Sequence, residues 1–254
     1  MTILETLDQR HRIGKKSIAV LVDPDKVDDP AKLKHLVLLA NENCIDFFFV
    51  GGSLITTSNL SEVIQSIKED INIPVVLFPG SSLQIDPGAD AILFLSLISG
   101  RNPDLLIGQH VQAAPILRNN RIEVLPTGYL LISSGRTSSV AYISNTTPIP
   151  EDKYSLAACT ALAGEMLGLR LIYLDAGSGA EREISPRMIT AVRKSIQVPM
   201  LVGGGINTAQ KALHALEAGA DMIVIGNALE KSPDLLTEIS DKVYDWNRSL
   251  EAGK

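Results

Sequence analysis

Val198-Pro199-Met200-Leu201-Val202-Gly203-Gly204-Gly205-Ile206-Asn207-Thr208 carries an apolar run through three glycines into a helix start, and Asp221-Met222-Ile223-Val224-Ile225-Gly226-Asn227-Ala228 repeats the plan downstream. Neither run alternates apolar with polar, so each reads as a strand covered on both faces, as in a parallel sheet. Similar runs occur earlier, at 17–22 before Asp23, 45–50 before Gly51-Gly52-Ser53 and 73–78 before Pro79-Gly80. Others lie at 89–95 before Ser96, 122–126 before Thr127-Gly128 and 169–174 before Asp175. Amphipathic stretches separate them. Residues 30–41 place Leu33, Leu36, Val37 and Ala40 on one helical face, and 58–69 do so with Leu60, Val63, Ile64 and Ile67. Eight strands alternating with helices predict an α/β chain folded as a single (β/α)8 TIM-barrel domain over residues 1–254.

Two stretches break this rhythm. Only the eight residues 81–88 separate Gly80 from Ala89, too few for a crossover of about a dozen residues. The third helix is therefore expected to be missing or reduced, leaving an apolar opening on the barrel's flank. Residues 128–150 are long and interrupted by Ser134-Gly135, with β-prone residues at 129–132 and 140–143. That pattern predicts a hairpin laid over one end of the barrel.

The chain has 23 Lys and Arg against 29 Asp and Glu, a net charge of −6, with 45% hydrophobic and 20% charged residues. This composition excludes wholesale disorder, and it argues against general nucleic-acid binding, which needs clustered cations. A local anion site remains open, because backbone N–H groups build one without net charge. Cys44 and Cys159 form no Cys-x-x-Cys pair, which excludes a disulfide framework or zinc ribbon and suits a reducing cytosol. Residues 1–16 lack a signal-like apolar stretch, and no segment approaches the ~20 apolar residues of a transmembrane helix. A soluble, cytoplasmic protein is expected. Cys159, in an Ala-rich stretch, is expected to be buried, Lys15-Lys16 to be solvated and Trp246 to anchor the last helix. His11, His35, His110 and His214 are scattered, with no partner at metal-ligand spacing.

In a (β/α)8 barrel the chemistry sits at the C-terminal strand ends. Gly203-Gly204-Gly205 and Gly226-Asn227, in neighbouring loops ahead of helix starts, fit a phosphate cradle of backbone N–H groups; the alternative is that they only make tight turns. Asp175, opening Ala176-Gly177-Ser178-Gly179, either accepts a proton from a substrate hydroxyl or merely caps its loop. Asp23 and Ser53, at neighbouring strand ends, suit Mg²⁺, which takes few protein oxygens plus substrate phosphates. Asp-Pro and Gly-Gly-Ser are equally ordinary turn sequences.

Taken together, V-D-P-D-K at 22–26, V-G-G-S at 50–53, Y-L-D-A-G-S-G at 173–179, V-G-G-G-I at 202–206 and I-G-N at 225–227 resemble the geranylgeranylglyceryl phosphate synthase family. That family includes archaeal ether-lipid enzymes and bacterial PcrB-like heptaprenylglyceryl phosphate synthases. The likeness runs over 14–230, takes in L-S-L-I-S-G-R-N-P at 95–103, and is to the second group of the family. The resemblance implies a prenyltransferase that joins a polyprenyl diphosphate to the 3-hydroxyl of sn-glycerol 1-phosphate, with Mg²⁺, giving an ether-lipid precursor and diphosphate. It implies Mg²⁺ on Asp23 and Ser53. Glycerol phosphate would lie on Tyr173, Leu174, Asp175, Ala176, Gly177, Ser178, Gly179, Gly203, Gly204, Gly226 and Asn227, with Asp175 catalytic. It also implies a homo-oligomer, a dimer or a hexamer. The family commonly has Glu where this chain has Asp175, a carboxylate one methylene shorter. The prenyl tail is expected to leave past 80–88. Two other readings use the same phosphate loops: a phosphosugar isomerase or lyase, which needs an acid/base pair and no apolar groove, and a non-catalytic phosphate-ligand binder.

Overall fold

A computed structural model of the chain describes residues 1–252. Its strands are β1 (Ser17–Val22), β2 (Phe47–Val50), β3 (Val75–Leu77), β4 (Ala91–Ser96), β5 (Glu123–Leu131), β6 (Leu171–Asp175), β7 (Met200–Gly203) and β8 (Met222–Ile225). Each pairs in parallel with the next, and β8 returns to β1 through Ser17↔Met222 and Val20↔Ile225, closing the expected eight-stranded barrel. The helices are α1 (Ile3–Arg12), α2 (Pro30–Glu42), α3 (Leu60–Asp70), α4 (Gln109–Arg118), α5 (Ser139–Ser144), α6 (Tyr154–Met166), α7 (Pro186–Arg193), α8 (Ala209–Glu217), α9 (Asn227–Lys231) and α10 (Leu235–Ala252). No helix among the described residues is long and apolar enough to cross a membrane.

The alternation of side chains along each strand divides the apolar residues into two layers. Ala19, Phe49, Val76, Leu93, Leu201 and Val224 fill the barrel. Val20, Phe48, Val75, Ile92, Val202 and Ile223 face the helices. Helix α1 closes the N-terminal end by adding Leu7 to the interior layer. The Glu123 carboxylate accepts from the N–H groups of Ile3 and Leu4 at 2.7 and 2.9 Å, satisfying donors that a helix start otherwise leaves open.

Between β3 and β4 no described residue is helical, in line with the short connection. Residues 128–150 do not form the expected hairpin. Strand β5 continues through Pro126 to Leu131, and 139–144 are helical. Burial decides this: Tyr129 and Leu131 enter the barrel interior while pairing with Tyr173 and Asp175 of β6. Ser138 then caps α5, its hydroxyl accepting from the Ala141 N–H at 3.2 Å. Two minor expectations also fail. Cys159 is exposed on α6. Lys16 is buried, its Nζ donating to the Ala220 carbonyl at 2.7 Å and lying 5.3 Å from the Trp246 ring centroid. Trp246 does anchor α10, donating to the Gly14 carbonyl at 3.3 Å.

At the N-terminal face one carboxylate gathers several partners. Asp221 accepts from the Met200 N–H at 2.8 Å, pairs with Arg193 at 2.9 Å and His11 at 3.0 Å, and lies 3.9 Å from Lys16. Substituting Asp221→Ala would strand Arg193 and Lys16 without their counter-charge, at an expected cost of about 3 kcal/mol of stability in urea denaturation. A loss below about 0.5 kcal/mol, the size of an ordinary surface substitution, would contradict this account.

Candidate active site

The C-terminal strand ends surround a cavity of about 1250 Å³. Its floor is aromatic. The rings of Phe78 and Tyr173 stack at 5.3 Å, and Tyr129 meets Tyr173 edge-on at 5.5 Å.

Above this floor stands Asp175, only 6% exposed. Tyr129 donates its hydroxyl to Oδ2 at 2.5 Å, and the Gly177 N–H donates to Oδ1 at 2.8 Å. Burial pushes the Asp175 pKa up, and these two hydrogen bonds pull against it. Burial beside the same carboxylate pushes the Tyr129 and Tyr173 phenols far up, so Tyr129 remains a donor. Gly204, at φ +79°, passes close to this group: a methyl there would lie 2.7 Å from Asp175 Oδ1 and 2.8 Å from the Ala176 nitrogen. Only glycine fits both the left-handed turn and the approach.

Of the residues expected to hold phosphate, Gly177, Ser178, Gly179, Gly204, Gly226 and Asn227 line the cavity. The Asn227 amide donates to the Ser178 hydroxyl at 3.1 Å, joining the loops after β6 and β8. Leu174 and Ala176 differ. Their side chains belong to the helix-facing layer, so only their backbone is near the site. Gly203 lies behind the Tyr173 hydroxyl and is not part of the cavity wall; a methyl on it would sit 2.5 Å from that oxygen.

Across the mouth, Asp23 caps a short 3-10 turn, Pro24–Lys26, accepting from the Asp25 N–H at 3.2 Å. Burial raises its pKa, opposed chiefly by Lys26 at 3.8 Å. A methyl on Gly52 would lie 3.4 Å from Asp23 Oδ1, so this carboxylate stands over the loop that carries Ser53. Asp25 locks that loop in place, accepting from the N–H and hydroxyl groups of both Thr56 and Thr57 at 2.6–3.0 Å. These bonds hold the Asp25 carboxyl well below the usual range. Among the described residues no three His, Cys, Asp or Glu side chains converge on one metal position. One carboxylate and one hydroxyl are a hard-oxygen set that suits Mg²⁺, which completes its shell with water and phosphate oxygens.

Residues of the helix-free segment and of α4 also line the cavity. Ser82 is tied to α4 by donating its N–H to Gln109 Oε1 at 3.1 Å. Ile85, Phe94, Leu105 and Ala113 give this part of the wall apolar surface, beside the polar Ser81, Gln109 and His110. His110 edges onto Phe94 at 4.4 Å with Nε2 3.2 Å from the Ser96 hydroxyl, and burial pushes its pKa down, favouring the neutral ring.

Residues 11–243 match the model of the PcrB family. The chain belongs to this family. Proteins named geranylgeranylglyceryl phosphate synthase are similar along nearly the whole length. That of Spirosoma linguale is 56% identical over 93% of this chain and 95% of its own. That of Thermococcus kodakarensis is 42% identical over 91% of each. The fold also superposes on the crystal structure of the (S)-3-O-geranylgeranylglyceryl phosphate synthase of Thermoplasma acidophilum in complex with its substrate sn-glycerol-1-phosphate. The TM-score is 0.90, with 35% identity, covering 96% of this chain and 99% of that one.

Sequence reasoning assigned no site role to Tyr129, Lys26 or Arg136, all three of which line the cavity. Tyr129 was hidden by the expected hairpin, and its signal is the parallel register that sets Tyr129 and Leu131 against Tyr173 and Asp175. Tyr129→Phe removes a hydrogen bond that lowers the Asp175 pKa, so that pKa should rise further. For a reaction that needs the Asp175 carboxylate, the acid limb of the pH–rate profile should move to higher pH. An unmoved limb in a folded variant would show that Tyr129 does not tune this group.

Proposed function

We propose that this chain is a prenyltransferase that joins a polyprenyl diphosphate to the 3-hydroxyl of sn-glycerol 1-phosphate; its likeness to proteins named geranylgeranylglyceryl phosphate synthase, one of them solved with sn-glycerol-1-phosphate, supports the reading. The observation that carries the reading is the lining of one cavity. It combines glycine-rich loops, a buried carboxylate and an Asp–Ser pair with the apolar side chains of Ile85, Phe94, Leu105 and Ala113. A phosphosugar isomerase would have no use for that apolar wall.

In this reading the loops 177–179, 204–205 and 226–227 hold the phosphate of the acceptor, fixing its far hydroxyl near Asp175. Both carboxylate oxygens of Asp175 already accept one hydrogen bond, and each keeps a further lone pair for the substrate. Burial moves its pKa toward neutrality, which suits a general base. The acceptor hydroxyl oxygen bonds to C1 of the prenyl chain while the C1–O bond to diphosphate breaks. The diphosphate leaves with the bonding pair, and the hydroxyl proton passes to Asp175. Holding both partners in line supplies much of the acceleration.

Asp23 and Ser53 would hold Mg²⁺ beside the diphosphate. When bound, the ion would neutralise charge on that leaving group. The apolar wall beside 80–88 takes the prenyl tail and shields the reacting carbon from water. Self-association as a dimer or hexamer belongs to the same reading, and exposed Ile107, Val111 and Tyr142 give it apolar surface.

Asp175→Asn should lower kcat by on the order of 10²–10⁴ while glycerol phosphate still binds, because the amide keeps the shape and loses the base. Asp175→Glu should retain substantial activity. Near-normal kcat in Asp175→Asn would move the proton acceptor elsewhere, most simply to the departing diphosphate. Chelation should abolish turnover, and Asp23→Ala should weaken Mn²⁺ binding followed by electron paramagnetic resonance. Unchanged ion affinity in that variant would remove Asp23 from the metal site.

A further inference from the structure

Apart from His110 and the phenols of Tyr129, Tyr142 and Tyr173, the ionisable side chains lining the cavity among the described residues are four acids, Asp23, Asp104, Asp175 and Glu230, and two bases, Lys26 and Arg136. Two substrates that carry phosphates must be held there with few positive charges available. Lys26 is already engaged, bonded to Asn227 Oδ1 at 2.6 Å and flanked by Glu230 at 3.2 Å and Asp23 at 3.8 Å. Arg136 is not. Among the described residues it meets no carboxylate, and its guanidinium donates to the Gly179 carbonyl at 2.7 Å.

That one bond puts the guanidinium at the edge of the anion cradle. The point where a Gly179 side chain would begin lies 2.8 Å from Arg136 Nη2 and 3.7 Å from Asn227 Nδ2. The two donors are therefore no farther apart than those two legs end to end. A single phosphate group spans roughly that distance when it accepts from two donors at about 2.8 Å each. Gly179 has φ +69° and no side chain to intervene.

We propose that Arg136 is a specificity-determining residue that binds the phosphate of the acceptor substrate. The inference rests on the glycerol-phosphate reading above and adds the cation that the backbone cradle lacks. A guanidinium free of carboxylates keeps its remaining N–H donors for an anion, and its planar fork suits a phosphate monoester. The tether to Gly179 holds the long side chain near its target, so less rotamer freedom is lost on binding. Glycerol without phosphate offers this fork nothing.

The test measures sn-glycerol 1-phosphate binding to the whole chain by calorimetry, together with both KM values, in wild type, Arg136→Gln and Arg136→Lys. Arg136→Gln should raise the Kd and KM for glycerol phosphate about 10- to 100-fold, the range for a lost charge-assisted contact. It should leave the KM for prenyl diphosphate unchanged. Arg136→Lys, a point charge without the fork, should recover part of the loss. Wild-type affinity in Arg136→Gln would overturn the inference and leave the glycerol-phosphate reading standing. So would a rise confined to the prenyl diphosphate KM, which would place Arg136 on the other substrate. Absence of glycerol phosphate binding in the wild type would overturn the underlying reading and this inference with it. Arg136 is exposed, so a folding defect is not expected; should Arg136→Gln fail to fold, a wild-type Kd in Arg136→Lys would overturn the requirement for the fork.

Discussion

Closure of the barrel by β1 against β8 is the constraint on which the site depends. The register Val20↔Ile225 sets the loop after β1 beside the loop after β8. Lys26 can then donate to Asn227, 201 residues away in sequence. Closing so long a span costs entropy that grows only with the logarithm of its length. The apolar layers on both faces of every strand offset that cost. Without closure, Asp23 and Gly226-Asn227 would lie at opposite edges of an open sheet, and a donor held by one could not reach an acceptor held by the other.

The second constraint is local. A carboxylate as deeply buried as Asp175 is unfavourable unless its oxygens are satisfied. The pairing of β5 with β6 supplies Tyr129, and the turn after Asp175 supplies the Gly177 N–H. The same burial that makes the group costly raises its pKa, the direction the proposed role as proton acceptor needs. Gly204 contributes by absence, since any side chain there would displace the carboxylate. Tyr129 thus satisfies the buried carboxylate and also sets its pKa.

Much of this was legible in the sequence for simple reasons. Continuous apolar runs mark strands covered on both faces, and eight of them, most followed by Gly, Asp or Ser, give both the barrel and the side of it that holds the site. The eight residues after Gly80 were too few for a helix, and Gly80, Ser81, Ser82 and Ile85 of this segment line the cavity. Local pattern misled at 128–150, where β-prone residues stood equally for a hairpin or for one longer strand and a helix; burial inside a closed barrel chose the second. Lys16 looked solvated because sequence does not reveal the Ala220 carbonyl and Trp246 ring that receive it. The motif 173–179 was read as one unit, yet strand alternation turns Leu174 away from the cavity while Tyr173 and Asp175 face it. Arg136 belongs to no local motif, and only the fold brings it to Gly179.

The central claim is that one cavity holds a glycerol phosphate and a prenyl diphosphate so that an ether bond forms between them. It is tested most directly by incubating the protein with sn-glycerol 1-phosphate, Mg²⁺ and a ladder of polyprenyl diphosphates, with products read by mass spectrometry. The account predicts a prenylglyceryl phosphate from at least one chain length, formed only when both substrates are present, with diphosphate released in equal amount. Failure to form an ether product from any chain length, in a folded protein that binds both substrates, would contradict it.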